Sequence, residues 1–354
     1  MLEVLRFWFT KDLVCISSKY IKGKPCKPYN STLGEFFRCR WEIEDTAPKI
    51  SFSAPATTNG VSTPDVDGNG EMVKVCYLTE QTSHHPPVSA FYIDCPERGV
   101  SARGFDQISA KFTGTSIRVS PGQHNLGIFV NIEKRDNEEY QLTHPCAHLG
   151  GLLRGALSIT VSDTCYIICP QTGIKAILHY LEEGWIGRAQ YKVEGVIFRY
   201  DPGKDTTTKI RDVSEGDVLG RISGSWHGKI YYTLSGTNEP RLLIDITPLF
   251  PMQKIIPPEE YQLSNESRKF WSDVTAAILD KRYSQATKLK QDIEERQRRR
   301  AAERQEKNET WKPRFFTGAV TPLGKPDLTE EGREALKGLH NSEYNLKESP
   351  TKGA

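Results

Sequence analysis

The stretch Glu80-Gln81-Thr82-Ser83-His84-His85-Pro86-Pro87-Val88-Ser89-Ala90-Phe91 decides how this chain is read. Two imidazoles precede two prolines, and an apolar run follows. Each proline fixes φ and lacks an N–H, so no helix passes through. The residue before a proline is pushed towards extended backbone. His84 and His85 are therefore expected in a rigid extended bend, their side chains projecting to different sides. On the residues alone three uses stay open. Such a pair can cap a turn or satisfy a local carbonyl. It can hold a metal, although no carboxylate or third histidine stands nearby at ligand spacing. It can donate to the oxygens of an anion such as a phosphate.

Strand-like runs lie on both sides of this bend. From Glu71 to Asp245 they recur between turn residues: Val73–Leu78, Val88–Ile93, Leu126–Glu133, Leu157–Val161, Lys175–Leu181, Tyr191–Tyr200, Lys229–Leu234 and Arg241–Ile246. Many short strands without helical crossovers favour an antiparallel barrel or sandwich over a doubly wound sheet. Some alternate: Leu157, Ile159 and Val161 can line one face, as can Ala176, Leu178 and Tyr180.

Upstream, residues 1–20 carry Leu2, Leu5 and Phe9 at helical spacing, and Gly23 to Pro28 ends that pattern. Residues 42–70 are rich in Ser, Thr, Pro, Asn and Gly and read as a surface loop. Downstream, residues 265–310 read as C-terminal helices. One runs over Ser267–Lys281 and a longer, highly charged one over Ser284–Glu309. Residues 318–354 read as a flexible tail with one short helix near Glu330–Leu339.

The chain has 354 residues, a formal charge of +2 and 37% hydrophobic residues. That is enough for a large core, and near neutrality argues against coating nucleic acid. The eight cysteines form no CxxC pair, so zinc-ribbon and thioredoxin chemistry find no support. Residues 1–13 are too short and too charged for a signal peptide or membrane span, so the chain reads as cytoplasmic with free thiols. Nucleophile elbow, phosphate loop, HExxH and dinucleotide fingerprints are all missing, which leaves an enzyme reading without a catalytic constellation.

Two further groupings stand out. Lys290, Glu294 and Arg298 fall at i, i+4 and i+8 and share a helix face. That face is either a solvated ion-pair ladder or a cationic wall for an anionic headgroup. Nucleic acid is disfavoured, because no aromatics interleave with the charges. His144, Cys146 and His148 alternate and would share a strand face, but Pro145 weakens the strand and with it a zinc site.

Glu80 to Pro87 resembles the signature of the oxysterol-binding-protein family almost letter for letter. Further similar segments are Lys27-Pro28-Tyr29-Asn30 with Leu33-Gly34-Glu35, and Lys111-Phe112 with Gly114 and Ser116. Ser225-Trp226-His227-Gly228, Glu266 to Trp271 and Ile293 to Arg298 also match, so the likeness reaches from the first residues to about Phe316. It implies an α+β fold, mainly β. The expected architecture is an incomplete antiparallel β-barrel with an apolar lipid tunnel, an N-terminal helix and C-terminal helices, over residues 1–317. It implies a cytoplasmic, peripherally membrane-associated carrier that exchanges phosphatidylinositol 4-phosphate with a sterol or phosphatidylserine. No enzyme activity, cofactor, metal or nucleic acid is expected. The family's lipid-headgroup residues fall on Lys27, Asn30, His84, His85, Lys290, Glu294 and Arg298. Family members usually carry a helical lid before the position matched by Met1. A chain starting there is cut short or lidless, and a lipid-dependent sensor or scaffold is the alternative to a carrier.

Overall fold

The computed structural model of the protein describes residues 1–11, 29–44, 50, 70–114, 116–150, 158–182 and 190–347. Within them fifteen strands form one antiparallel sheet. The first twelve residue ranges are β1 (Phe36–Glu44), β2 (Met72–His84), β3 (Pro87–Cys95), β4 (Val100–Asp106), β5 (Ile108–Phe112), β6 (Ile117–Pro121), β7 (Ile128–Ile132), β8 (Glu138–Leu142), β9 (Cys146–Gly150), β10 (Ser158–Cys169), β11 (Ile174–Tyr180) and β12 (Lys192–Arg199). β13 (Val218–Ser225), β14 (Lys229–Leu234) and β15 (Arg241–Asp245) complete it. The main path runs β1-β2-β3-β4-β7-β8-β10-β11-β12-β13-β14-β15 and leaves β1 and β15 unpaired with each other, so the barrel is incomplete. The strand β10 is long enough to pair twice. Its second half meets β8, while its first half meets β9, which continues to β6 and β5.

One face of this curved sheet carries the main core. Leu142, Cys165, Ile167, Ala176, Leu178, Tyr180, Ile222 and Tyr232 cluster there. Helix α1 (Leu2–Thr10) packs into the same cluster through Val4, Leu5, Trp8 and Phe9, and Trp8 Nε1 donates to the Tyr180 hydroxyl at 2.9 Å. Its apolar residues recur every three or four positions, which presents one greasy stripe to the sheet. The inner face is apolar, and α1 packs against it. On the opposite face of β11 and β12, Ile177, Val196 and Phe198 pack under Ile210 and Val213. Burial on both faces explains the unbroken apolar triplets Ala176–Leu178 and Val196–Phe198 within strands that otherwise alternate.

Several boundaries differ from expectation. The helix expected over residues 1–20 is described only at Leu2–Thr10, and residues 12–28 lie outside the described part. β1 extends into the expected 42–70 loop as far as Glu44, because Ile43 pairs with Val73 and Glu44 with Met72. The helix expected over Ser267–Lys281 is two, α2 (Ser267–Phe270) and α3 (Ser272–Leu279), interrupted at Trp271, whose indole is buried. The charged helix α4 spans Tyr283–Glu306. Among the described residues no three His, Cys, Asp or Glu side chains gather as a metal would require, so His144, Cys146 and His148 form no such group. No described helix is long and apolar enough to cross a membrane.

The tail expected to be mobile from residue 318 is instead built into the fold as far as residue 347. Helix α5 (Glu330–Asn341) buries Ala335, Leu336 and Leu339 with Phe315, Phe316 and Leu328 against Phe36, Cys76, Leu78, Val88, Ala90 and Phe105 of the sheet. Its charged composition concealed a strongly one-sided apolar stripe. The Thr329 side chain caps its N-terminus by accepting from Gly332 N at 3.1 Å. Two polar anchors fix the approach. The Glu80 carboxylate accepts from Arg314 N and Phe315 N, each at 2.8 Å, and Arg40 Nη1 donates to Leu339 O at 2.8 Å. An ionic cluster of Arg103, Asp327, Glu139 and Lys325 ties residues 325–327 to β4 and β8.

Two outcomes follow. Leu339→Ala empties a fully buried site and is expected to lower unfolding free energy by about 2–5 kcal/mol in urea titration, whereas a mobile tail would leave it unchanged. Glu80→Ala removes the acceptor of a part-buried N–H at Arg314 and a buried one at Phe315. Hydrogen exchange at Arg314 and Phe315 should then accelerate well beyond that of β11, at a cost of roughly 1–3 kcal/mol per unsatisfied group.

Candidate functional site

The histidine pair sits at a hairpin tip. His84 ends β2 and faces Pro87 across the ladder, so His85 and Pro86 make the turn, with a cis bond between them. The side chains were expected to diverge, but the rings lie edge to face with centroids 4.7 Å apart. A register shift between Gln81 and Ser83 and the turn itself interrupt strand alternation, which is why the two-residue rule fails here. His85 is exposed and His84 is half-buried. Burial, and then the charge of its neighbour His85, hold the His84 pKa below its ordinary 6.5. In the unliganded protein this favours the neutral ring.

The polar residues before the pair are almost fully buried, and each has a task. Glu80 fixes the chain at Arg314 and Phe315. Burial pushes its carboxyl up to about 7, against the pull of those two N–H donors. Thr82 Oγ1 donates to Ala319 O at 2.6 Å. Gln81 continues the β1–β2 ladder, its N–H donating to Glu35 O at 2.8 Å and its carbonyl accepting from Gly34 N at 2.9 Å. The Gln81 amide nitrogen also lies 3.5 Å from His84 Nδ1. The tip is thus braced from the C-terminal segment on one side and from the segment before β1 on the other.

That second segment carries Asn30, which is exposed. Its neighbour Tyr29 stacks on Trp271 at 4.5 Å and shares a 2.9 Å hydrogen bond with the Thr275 hydroxyl. Glu35 is the fixed point below. One oxygen accepts from Ser267 Oγ at 2.7 Å and Trp271 Nε1 at 3.0 Å, and the other from Thr32 N at 2.9 Å. Burial raises the Glu35 pKa, and these donors partly offset that shift. A cavity of about 650 Å³ opens beside these contacts, lined by Tyr29, Glu35, Phe37, Trp271, Thr275 and Leu279 among others.

Helix α4 packs here through Ala286, Leu289 and Ile293, which meet Trp271, Val274, Ala277 and Tyr29. Lys290 and Glu294 follow Leu289 and Ile293 in sequence, on the helix that packs against the Tyr29–Trp271 cluster. Glu294 lies between two cations, 3.1 Å from Lys290 Nζ and 3.8 Å from Arg298 Nη2. These pairs are partly exposed and worth little to stability. Helix spacing, not these pairs, sets Lys290 and Arg298 on one face. Among the described residues no hydrogen bond or ion pair joins the histidines to α4. Lys27 lies outside the described residues.

Glu35, Gln81 and Trp271 escaped the motif reading as structural supports. Their signal was a carboxylate after Leu-Gly and a tryptophan at the end of an aromatic pair, both of which resemble ordinary composition. Arg38 escaped it too. It is fully buried in a 3.2 Å pair with Glu266 and donates to Tyr261 O at 3.1 Å. That pair clamps β1 to the start of α2.

The oxysterol-binding protein family matches residues 1–277. Oxysterol-binding protein-like protein 1 of Schizosaccharomyces pombe is 38% identical, over 97% of this chain and 80% of its own length. Human oxysterol-binding protein-related protein 8 is 31% identical over 85% of this chain, which spans 30% of that larger protein. Among solved structures, the Osh1 ORD domain in complex with ergosterol aligns with a TM-score of 0.60 at 19% identity, covering 93% of this chain and 72% of that one. The Osh3 ORD of Saccharomyces cerevisiae in complex with PI(4)P gives 0.57 at 17% identity, covering 90% and 73%. The fold, the hairpin signature and these likenesses agree: the chain belongs to the oxysterol-binding protein family.

Proposed function

We propose that this protein is a lipid carrier. It binds phosphatidylinositol 4-phosphate and exchanges it between membranes for a second lipid, a sterol or phosphatidylserine, without covalent chemistry. The observation that carries this reading is the chain of contacts from the His84–His85 hairpin through Gln81, Glu35, Trp271 and Tyr29 to Ala286, Leu289 and Ile293 of α4, the helix that carries Lys290, Glu294 and Arg298. Sequence segments more than two hundred residues apart are thereby tied into one support, as a multidentate headgroup site needs. The solved relatives carry ergosterol in one case and PI(4)P in another, which supports both ligand classes.

In this reading His84, His85, Lys27, Lys290 and Arg298 donate to phosphate oxygens, where charge-assisted bonds are short and strong. Glu294 holds the two α4 cations and accepts from inositol hydroxyls. Asn30 meets the headgroup from the segment before β1. The acyl chains or sterol lie along the apolar inner face of the sheet. Each methylene buried there gains about 0.8 kcal/mol, but the bilayer offers the same, so extraction is nearly balanced and the polar contacts select the lipid. The transfer unit covers residues 1–317, with residues 318–347 bracing it, and the protein acts in the cytoplasm at membrane surfaces.

An anionic headgroup favours the imidazolium, and the free protein holds His84 below its ordinary pKa, so binding takes up protons. Affinity for the phosphoinositide should be highest at acid pH and fall as pH rises through the His84 pKa of the complex. Calorimetry in buffers of different ionisation enthalpy checks this, and zero proton uptake across that range would remove His84 from the site. In a liposome assay, His84→Ala with His85→Ala should cut phosphoinositide transfer at least about tenfold, as expected for losing one or two charge-assisted bonds. Lys290→Ala with Arg298→Ala should do the same, and wild-type rates in either pair would contradict the headgroup assignment.

A further inference from the structure

The corner where α3 turns into α4 exposes large apolar side chains beside cations. Val274 and Ala277 turn inwards, and α3 then ends with Ile278 41% exposed. Leu279 is 76% exposed, and Tyr283, the first residue of α4, is 64% exposed. Lys281 makes the turn between the helices at φ 60°, and Arg282 follows. Residues 268–288 hold five basic side chains, Arg268, Lys269, Lys281, Arg282 and Lys288, against two acidic ones, Asp273 and Asp280. Asp280 is engaged by Arg282 at 2.6 Å.

Position adds a third observation. Leu279, Arg268 and Lys269 line the cavity that Tyr29 and Trp271 share, and Tyr29 adjoins Asn30. Tyr283 lies seven residues before Lys290, about 10 Å along the helix. Two other exposed apolar spots, Ile108 and Phe112 beside Lys111 and Arg118, and Leu249, Phe250 and Met252 between β15 and α2, do not line the cavity that Tyr29 and Trp271 share.

We propose that the α3–α4 corner is a membrane-docking wedge: Ile278, Leu279 and Tyr283 enter the interfacial region of an anionic bilayer while Lys281, Arg282 and Arg268 lie on its headgroups. Leucine and isoleucine gain by leaving water, and tyrosine suits the interface, with an apolar ring and a polar tip. Each nearby cation adds attraction to a negative leaflet that salt weakens. The inference deepens the carrier reading and rests on it for direction: a wedge here brings the Asn30 and Lys290 segment to the bilayer, so a lipid can pass without crossing open water.

The test is co-sedimentation of the full chain with sucrose-loaded phosphatidylcholine vesicles containing about 20% phosphatidylserine, with phosphatidylcholine alone for comparison. Leu279→Asp with Tyr283→Asp should lower the bound fraction at least about tenfold, because each charge forbids insertion. Leu279→Trp should raise it about threefold. Phe250→Asp, equally exposed elsewhere, should leave it within about twofold. Wild-type recruitment by the double aspartate variant, or an equal loss from Phe250→Asp, overturns the assignment. Loading from phosphoinositide–detergent micelles separates the two readings. The corner variant should still load while failing to sediment. The His84→Ala, His85→Ala variant should sediment while failing to load, and its normal loading would refute the headgroup site without touching the wedge.

Discussion

A single buried carboxylate holds the working end of this molecule together. Glu35 sits at the root of β1 and accepts from Thr32 N, Ser267 Oγ and Trp271 Nε1. A carboxyl taken out of water and left unpaired would cost several kcal/mol; three donors offset that cost and fix direction as well as distance. Through them the segment before β1, the end of the sheet and the first C-terminal helices share one origin. The backbone of Glu35 then passes the register to Gln81, three residues before the histidines. The Arg38–Glu266 pair repeats the device one step along β1.

This arrangement accounts for the polar letters of the signature. Histidines at a hairpin tip would be loose if the tip rested on strand pairing alone. Glu80, Gln81 and Thr82 instead turn inwards and bind backbone from both ends of the chain. Buried polar groups with fixed partners specify one geometry more sharply than apolar packing does. His84 and His85 thus stand on a platform held by buried polar contacts.

The division of labour across the fold is physical. The inner face of the sheet and α1 supply apolar surface, where contacts are non-directional. The rim supplies hydrogen-bond donors, where direction matters. The α3–α4 corner exposes Ile278, Leu279 and Tyr283 beside Lys281 and Arg282.

Much of this was legible in the linear chain. The His-His-Pro-Pro run forces a turn between strands, and Lys290, Glu294 and Arg298 must share a face once the segment is helical, since both follow from local geometry. The β-rich middle and its antiparallel character followed from strand length and turn spacing. What the chain alone could not decide lay in long-range burial. The C-terminal segment looked like a solvated tail because Leu336 and Leu339 are few among charges, yet a stripe needs only a few apolar residues when a groove is waiting. The closing angle of the sheet, the break at Trp271 and the roles of Glu35, Glu80 and Gln81 arise from partners up to 236 residues away. Local propensity carries no information about such partners; only the folded chain brings them within hydrogen-bond reach.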